Sequence, residues 1–131
     1  MYSVIFSDKL QIIHSLPGSH FGQAQNPHGN TYLIHIEIFA SELDEYNQVI
    51  DNSVAKQIIS KVLGLYNYKH LDTLAELNGK ITTHTFLASF IAEKVERQLS
   101  LIDIPNKTIN QIKVSVEDTA SSTSSFWKRI E

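Results

Sequence analysis

Ten residues, TYLIHIEIFA (31–40), constrain the fold of this chain more than any other stretch. Tyr32, Ile34, Ile36 and Ile38 alternate with Leu33, His35, Glu37 and Phe39, and successive side chains of an extended strand point to opposite faces. A period of two held over eight residues fits a strand and not a helix. The flanking segments follow from this strand. Tyr2 to Leu16, rich in Val, Ile and Phe, reads as one long strand or two strand pieces. Pro17 to Asn30 carries Gly18, Gly22, Pro27 and Gly29 and reads as a loop.

After the acidic turn SELDEYN (41–47), Asp51, Asn52 and Ser53 are each able to cap a helix. That helix sets Val54, Ile58 and Val62 on one stripe with Ala55, Ile59 and Leu63 beside it, and Gly64 marks its end. A second helix begins near Thr82 or Thr83 and spaces Leu87, Ile91, Val95 and Leu99 four apart. Beyond a loop containing Pro105, INQIKVSVED (109–118) alternates again, with Ile112, Val114 and Val116 facing one way and Lys113, Ser115 and Glu117 the other. A Ser/Thr-rich turn from Ser121 to Ser125 leads to a short strand around Phe126 and Trp127. The order strand, strand, helix, helix, strand, strand implies an α+β fold: a four-stranded antiparallel sheet with two helices on one face, in a single domain over residues 1–131. The opposite face, with Leu33, His35 and Phe39, and the sheet edges call for cover by another subunit.

The charge balance, 11 Lys and Arg against 14 Asp and Glu, is scattered along the chain. It makes no basic face for nucleic acid or anionic lipid. No apolar run approaches the roughly 18 residues of a membrane span. MYSVIFSDK, with Asp8 arriving early, lacks the layout of a signal peptide. The expectation is a cytoplasmic protein with no membrane or nucleic-acid partner. Cysteine is absent, which excludes disulfides, thiolate metal sites and a cysteine nucleophile.

Six segments carry a more specific signal: IIHSL (12–16), PHGNTY (27–32), SELDEYNQVIDN (41–52), NYKHLD (67–72), ITTHTFLA (81–88) and VSVED (114–118). In this order and spacing the chain resembles the 6-pyruvoyltetrahydropterin synthase and 6-carboxytetrahydropterin synthase family. The resemblance implies a T-fold whose subunits assemble into a ring, a trimer or hexamer. It also implies zinc held by three histidines, of which His14 and His28 remain while Asn30 stands in the third place. Glu117 falls at the position that looks like the pterin-anchoring glutamate, and Thr82 and Thr83 lie at the substrate side of the second helix. The family's reacting cysteine is replaced within FGQAQNP by Ala24 or a neighbouring glutamine, and its aspartate–histidine pair by Asn67 and Tyr68. His84 stands where the family has a glutamate.

These residues suit particular chemistry. Zinc favours imidazole nitrogens, and an amide oxygen from Asn30 is a weaker donor. A carboxylate such as Glu117 accepts the paired N–H groups of a pterin, and guanine shares that edge. With Tyr68, His70 and Asp72 can serve in a loop as a replacement acid–base set. A neutral His84 suits a helix N-terminus. His35, an odd number of residues from His28, falls on the other strand face and reads as structural. The leading functional reading is a lyase acting on a dihydropterin such as 7,8-dihydroneopterin triphosphate, with altered, metal-assisted chemistry. The family's products include 6-pyruvoyltetrahydropterin and the 6-carboxy product used in queuosine synthesis. Two alternatives stand beside it: a pterin- or purine-binding protein without catalysis, and a structural oligomer with a vestigial site.

Overall fold

The computed structural model describes residues 1–102, 108–119 and 121–130; the expected loop at Pro105 lies outside them. β1 (Tyr2–His14) and β2 (His28–Ala40) pair antiparallel along their whole length, from Tyr2 opposite Ala40 to His14 opposite His28. The period-two pattern sorts the faces as expected: Tyr32, Ile34, Ile36 and Ile38 are buried, while the odd-numbered residues face away from the core. β2 starts earlier than its own alternation predicts. His28, Gly29 and Asn30, expected in the loop, are drawn into the strand by pairing with Ile12–His14, so tertiary pairing outweighs weak strand propensity. In the connection, Gly18 (φ 122°) and Gly22 (φ 59°) take backbone conformations open to glycine. The chain folds back there so that Leu16 N–H donates to the Ala24 carbonyl at 2.8 Å.

α1 (Asn52–Gly64) is capped by Asp51, whose carboxylate accepts from the backbone N–H groups of Ser53 and Val54. α2 (His84–Ser100) is capped by Thr83, whose hydroxyl oxygen accepts from Phe86 N–H at 3.1 Å. Between the helices lies β3 (Lys69–His70), followed by two single turns of 3₁₀ helix. β4 (Ile109–Asp118) and β5 (Thr123–Arg129) complete the sheet in the order β3–β1–β2–β4–β5. α2 packs across β4 and β5, with α1 beside it. The helix stripes and the buried faces of β1, β2 and β4 form one apolar core. Each fully buried Ile, Leu or Val there contributes about 1.5–3 kcal/mol.

The expected four-stranded antiparallel sheet is therefore five-stranded and mixed, because β3 runs parallel to β1, with Ile12 opposite Lys69 and Ile13 opposite His70. The cause is local. Tyr68 N–H donates to the Gln11 carbonyl at 2.6 Å, and Gln11 N–H donates to Asn67 Oδ1 at 2.8 Å. Tyr68 adopts φ 62° to make this junction, a conformation that a bulky residue takes at some cost. The following segment is tacked to α2 through Glu76, which accepts from Tyr66 Oη at 2.6 Å and from Lys94 Nζ at 2.7 Å. The fold thus gathers the ends of β1 and β4, the start of β2, the start of α2 and the 67–83 segment at one end of the sheet.

Candidate functional site

His14 is the centre of that end. As the last residue of β1 it continues the inward face of Leu10 and Ile12, so the alternation that builds the core also buries an imidazole, at 1% exposure. Both ring nitrogens are engaged: Nδ1 lies 2.9 Å from Thr82 Oγ1, and Asn30 Nδ2–H donates to Nε2 at 2.9 Å. Burial, then the neighbouring His28, lowers its pKa from 6.5 to about 4 against a smaller opposing pull from Asp72. His14 is neutral at pH 7, with its single ring proton on Nδ1, donated to Thr82. The His28 ring lies 4.7 Å from that of His14, and its Nδ1–H donates to the Asn26 carbonyl at 2.9 Å. His14, His28 and Asn30 are thus brought together. Among the described residues no three of His, Cys, Asp and Glu are placed to hold a metal ion.

Tyr32 packs edge-on to His14 at 6.5 Å and 6.3 Å from His84. Burial, then the charge of Asp118, raises its pKa to about 12. The structure brings His70 and Asp72 together, with His70 Nε2 3.4 Å from Asp72 Oδ2, and this Nε2 is buried without a hydrogen-bond partner. Asp72 accepts from the backbone N–H of Ser15 at 3.1 Å and from its hydroxyl. Burial works against its ionisation, but the Ser15 bonds and then the His70 and His14 charges outweigh it and hold its carboxyl below the usual range. The remaining sites divide differently. Thr82 is buried against His14, Thr83 is used by the α2 cap, and Tyr68 stands 79% exposed.

Glu117 is not at this end's inner face. It pairs with Leu33 on the open face of the sheet, where His35 Nε2–H donates to its Oε1 at 2.9 Å and Ser7 Oγ–H donates to His35 Nδ1 at 2.7 Å. The carboxylate on the His14 side is its neighbour Asp118, directly opposite Tyr32. The signal for this was present: Ile112, Val114, Val116 and Asp118 share one parity, and Glu117 shares that of Lys113 and Ser115. Sequence reasoning also missed Ser15 as the holder of Asp72. It missed Ser122 and Ser124 as partners of His84, at 3.1 and 2.7 Å. Those contacts join segments far apart in sequence and leave no local pattern.

Solved structures of similar architecture share little sequence. The 6-pyruvoyl tetrahydropterin synthase of Caenorhabditis elegans is 18% identical with a TM-score of 0.77, over 99% of this chain and 96% of that one. The Plasmodium vivax enzyme of the same name is 12% identical with a TM-score of 0.79, over 98% of both chains. A dihydroneopterin aldolase of Burkholderia thailendensis, bound to guanine, is 10% identical with a TM-score of 0.52, over 99% of this chain and 92% of that one. At these identities the likeness establishes the T-fold alone. No curated protein sequence matches the chain. The sequence model of 6-pyruvoyl tetrahydropterin synthase matches residues 3–129, nearly the whole chain. The chain belongs to the 6-pyruvoyl tetrahydropterin synthase family.

Proposed function

We propose that the chain binds a pterin or guanine-like ring at the His14 end of the sheet and processes a dihydropterin there. The observation that carries this reading is the pairing of a carboxylate, Asp118, with the buried polar floor of Tyr32, His14 and Thr82 on one face of a pterin-synthase-family fold. Asp118 accepts the adjacent N–H groups of the ring. His70, held against Asp72, exchanges a proton with the substrate side chain, and Asp72 positions it. Guanine in the dihydroneopterin aldolase of related fold supports the ring class. A binder without turnover is the second reading, favoured by the exposure of Tyr68 to solvent. Consumption of dihydroneopterin triphosphate separates the two, since the second requires none.

Calorimetry with neopterin, dihydroneopterin and guanine tests the pocket. Asp118→Asn should weaken binding roughly a hundredfold, because two charge-assisted bonds are each worth about 1.5–3 kcal/mol. Glu117→Gln, on the other face, should change affinity by less than about threefold. The reverse order would return the anchor to Glu117; no binding of any ring by wild type would remove the reading.

Assembly of copies into a closed ring, a trimer or hexamer, belongs to the same proposal. Ile5, Ile13 and Trp127 stand exposed, and β5 ends the sheet without a neighbour beyond β4 among the described residues. A single-copy mass by light scattering at micromolar concentration would count against it.

A further inference from the structure

A catalytic zinc needs three protein donors, each with a lone pair turned toward the ion, and a position left for water or substrate. Two imidazoles and an amide meet at this end, and one imidazole is already saturated. His14 gives Nδ1 to Thr82 and Nε2 to Asn30, each at 2.9 Å. Turning the Asn30 amide over would exchange which partner carries the hydrogen and still leave both ring nitrogens engaged. His70 Nε2 makes no hydrogen bond and lies 3.4 Å from Asp72, but among the described residues no three of His, Cys, Asp and Glu converge to hold an ion, so His70 and Asp72 do not complete the missing set. The residues present do not fit the zinc centre that the resemblance implies.

We propose that this site is built to work without a bound divalent ion, with the Asn30 carboxamide occupying the coordinating position on His14. The amide hydrogen bond does by geometry what an ion does by charge: it fixes the tautomer and the ring plane. His28, whose Nδ1–H is committed to the Asn26 carbonyl, and His70, whose Nε2 has no hydrogen-bond partner, are then the imidazoles left to meet a ligand. The proposal rests on reading this end as the ligand pocket. Its test uses zinc chloride with no pterin present, so its outcome is separate from whether a ring binds.

Purified wild type is loaded with zinc chloride at neutral pH, gel-filtered and analysed for metal, with calorimetric titration alongside. Wild type should retain far less than one zinc per chain, and Asn30→His should bind one per chain about a hundredfold more tightly. One zinc per wild-type chain, lost in His28→Ala, would overturn the proposal. So would failure of a folded Asn30→His to gain zinc, because Asn30 would then not be what keeps the ion out. Nitrogen-15 NMR of wild type needs no variant: His14 should show the Nδ1–H tautomer, unmoved by added zinc. Displacement of its Nε2 resonance by zinc would also overturn the assignment.

Discussion

His14 and His35 stand on opposite faces of one sheet, and each has both ring nitrogens hydrogen-bonded. Their surroundings separate them. His14 is sealed beneath the 67–83 segment with an amide and a hydroxyl as partners, while the His35 side chain is 32% exposed between a hydroxyl and a carboxylate. The same contacts therefore have different weight. At this buried end the low dielectric makes every bond to His14 costly to lose; on the open face water competes for each bond of the Ser7–His35–Glu117 chain. A hydrogen-bonded histidine marks a site only where something has removed the solvent.

The largest difference should appear on acidification. The folded pKa of His14 lies near 4, below its unfolded value of 6.5, so the unfolded chain binds the extra proton between those limits. Its contribution is whole above pH 6.5 and is lost as pH falls through about 4, to a total of about 3 kcal/mol. Asp72 and Glu76, with lowered carboxyl pKa values, add losses of the same sign at more acidic pH. Chemical denaturation across this range should show the fall in wild type and a shallower one in a folded His14→Gln. An equal slope in both would show that His14 is not the group being protonated.

A matched pair of hydroxyl deletions gives the smaller effects. Thr82→Val keeps the shape beside His14 but leaves a buried ring nitrogen without its partner, and should cost about 1–3 kcal/mol. Ser7→Ala removes the equivalent bond to His35 on the wet face and should cost about 0.2–1 kcal/mol. Equal costs in urea unfolding would erase the distinction between the two faces.

Much of this architecture was legible in the sequence because alternation and helical periodicity are local. The buried faces of β2 and β4 follow from side-chain spacing alone, and the sequence narrows the caps to Asp51, Asn52 or Ser53 for α1 and to Thr82 or Thr83 for α2, of which the structure uses Asp51 and Thr83. β3 was not legible: two residues, Lys69 and His70, have no period, and they are a strand only because Asn67 and Tyr68 dock on Gln11. The site divides in the same way. The meeting of His14 with His28 and Asn30 follows from neighbouring strands, and the His70–Asp72 pair from a short loop. The choice between Glu117 and Asp118 turned on parity, where a motif read as a string overrode the alternation that places Glu117 with Lys113. Ser15 on Asp72 depended on a long-range contact that no local pattern encodes.

The junction of Asn67 and Tyr68 with Gln11 also measures out how much of the β1 margin another chain can use. Gln11 has both its outward backbone groups taken, and the next outward N–H, that of Lys9, is bonded by the Asp8 carboxylate at 2.8 Å. Strand residues present these groups to the same margin at every second position, which leaves Ser3, Ile5 and Ser7. A partner strand adding there meets a template of five residues, 3–7, with a fixed stop at one end. That length matches an ordinary strand of about 5–6 residues, and the stop sets its register. Asn67 and Tyr68, by taking both outward groups of Gln11, would thus set the register of any strand that came to lie alongside.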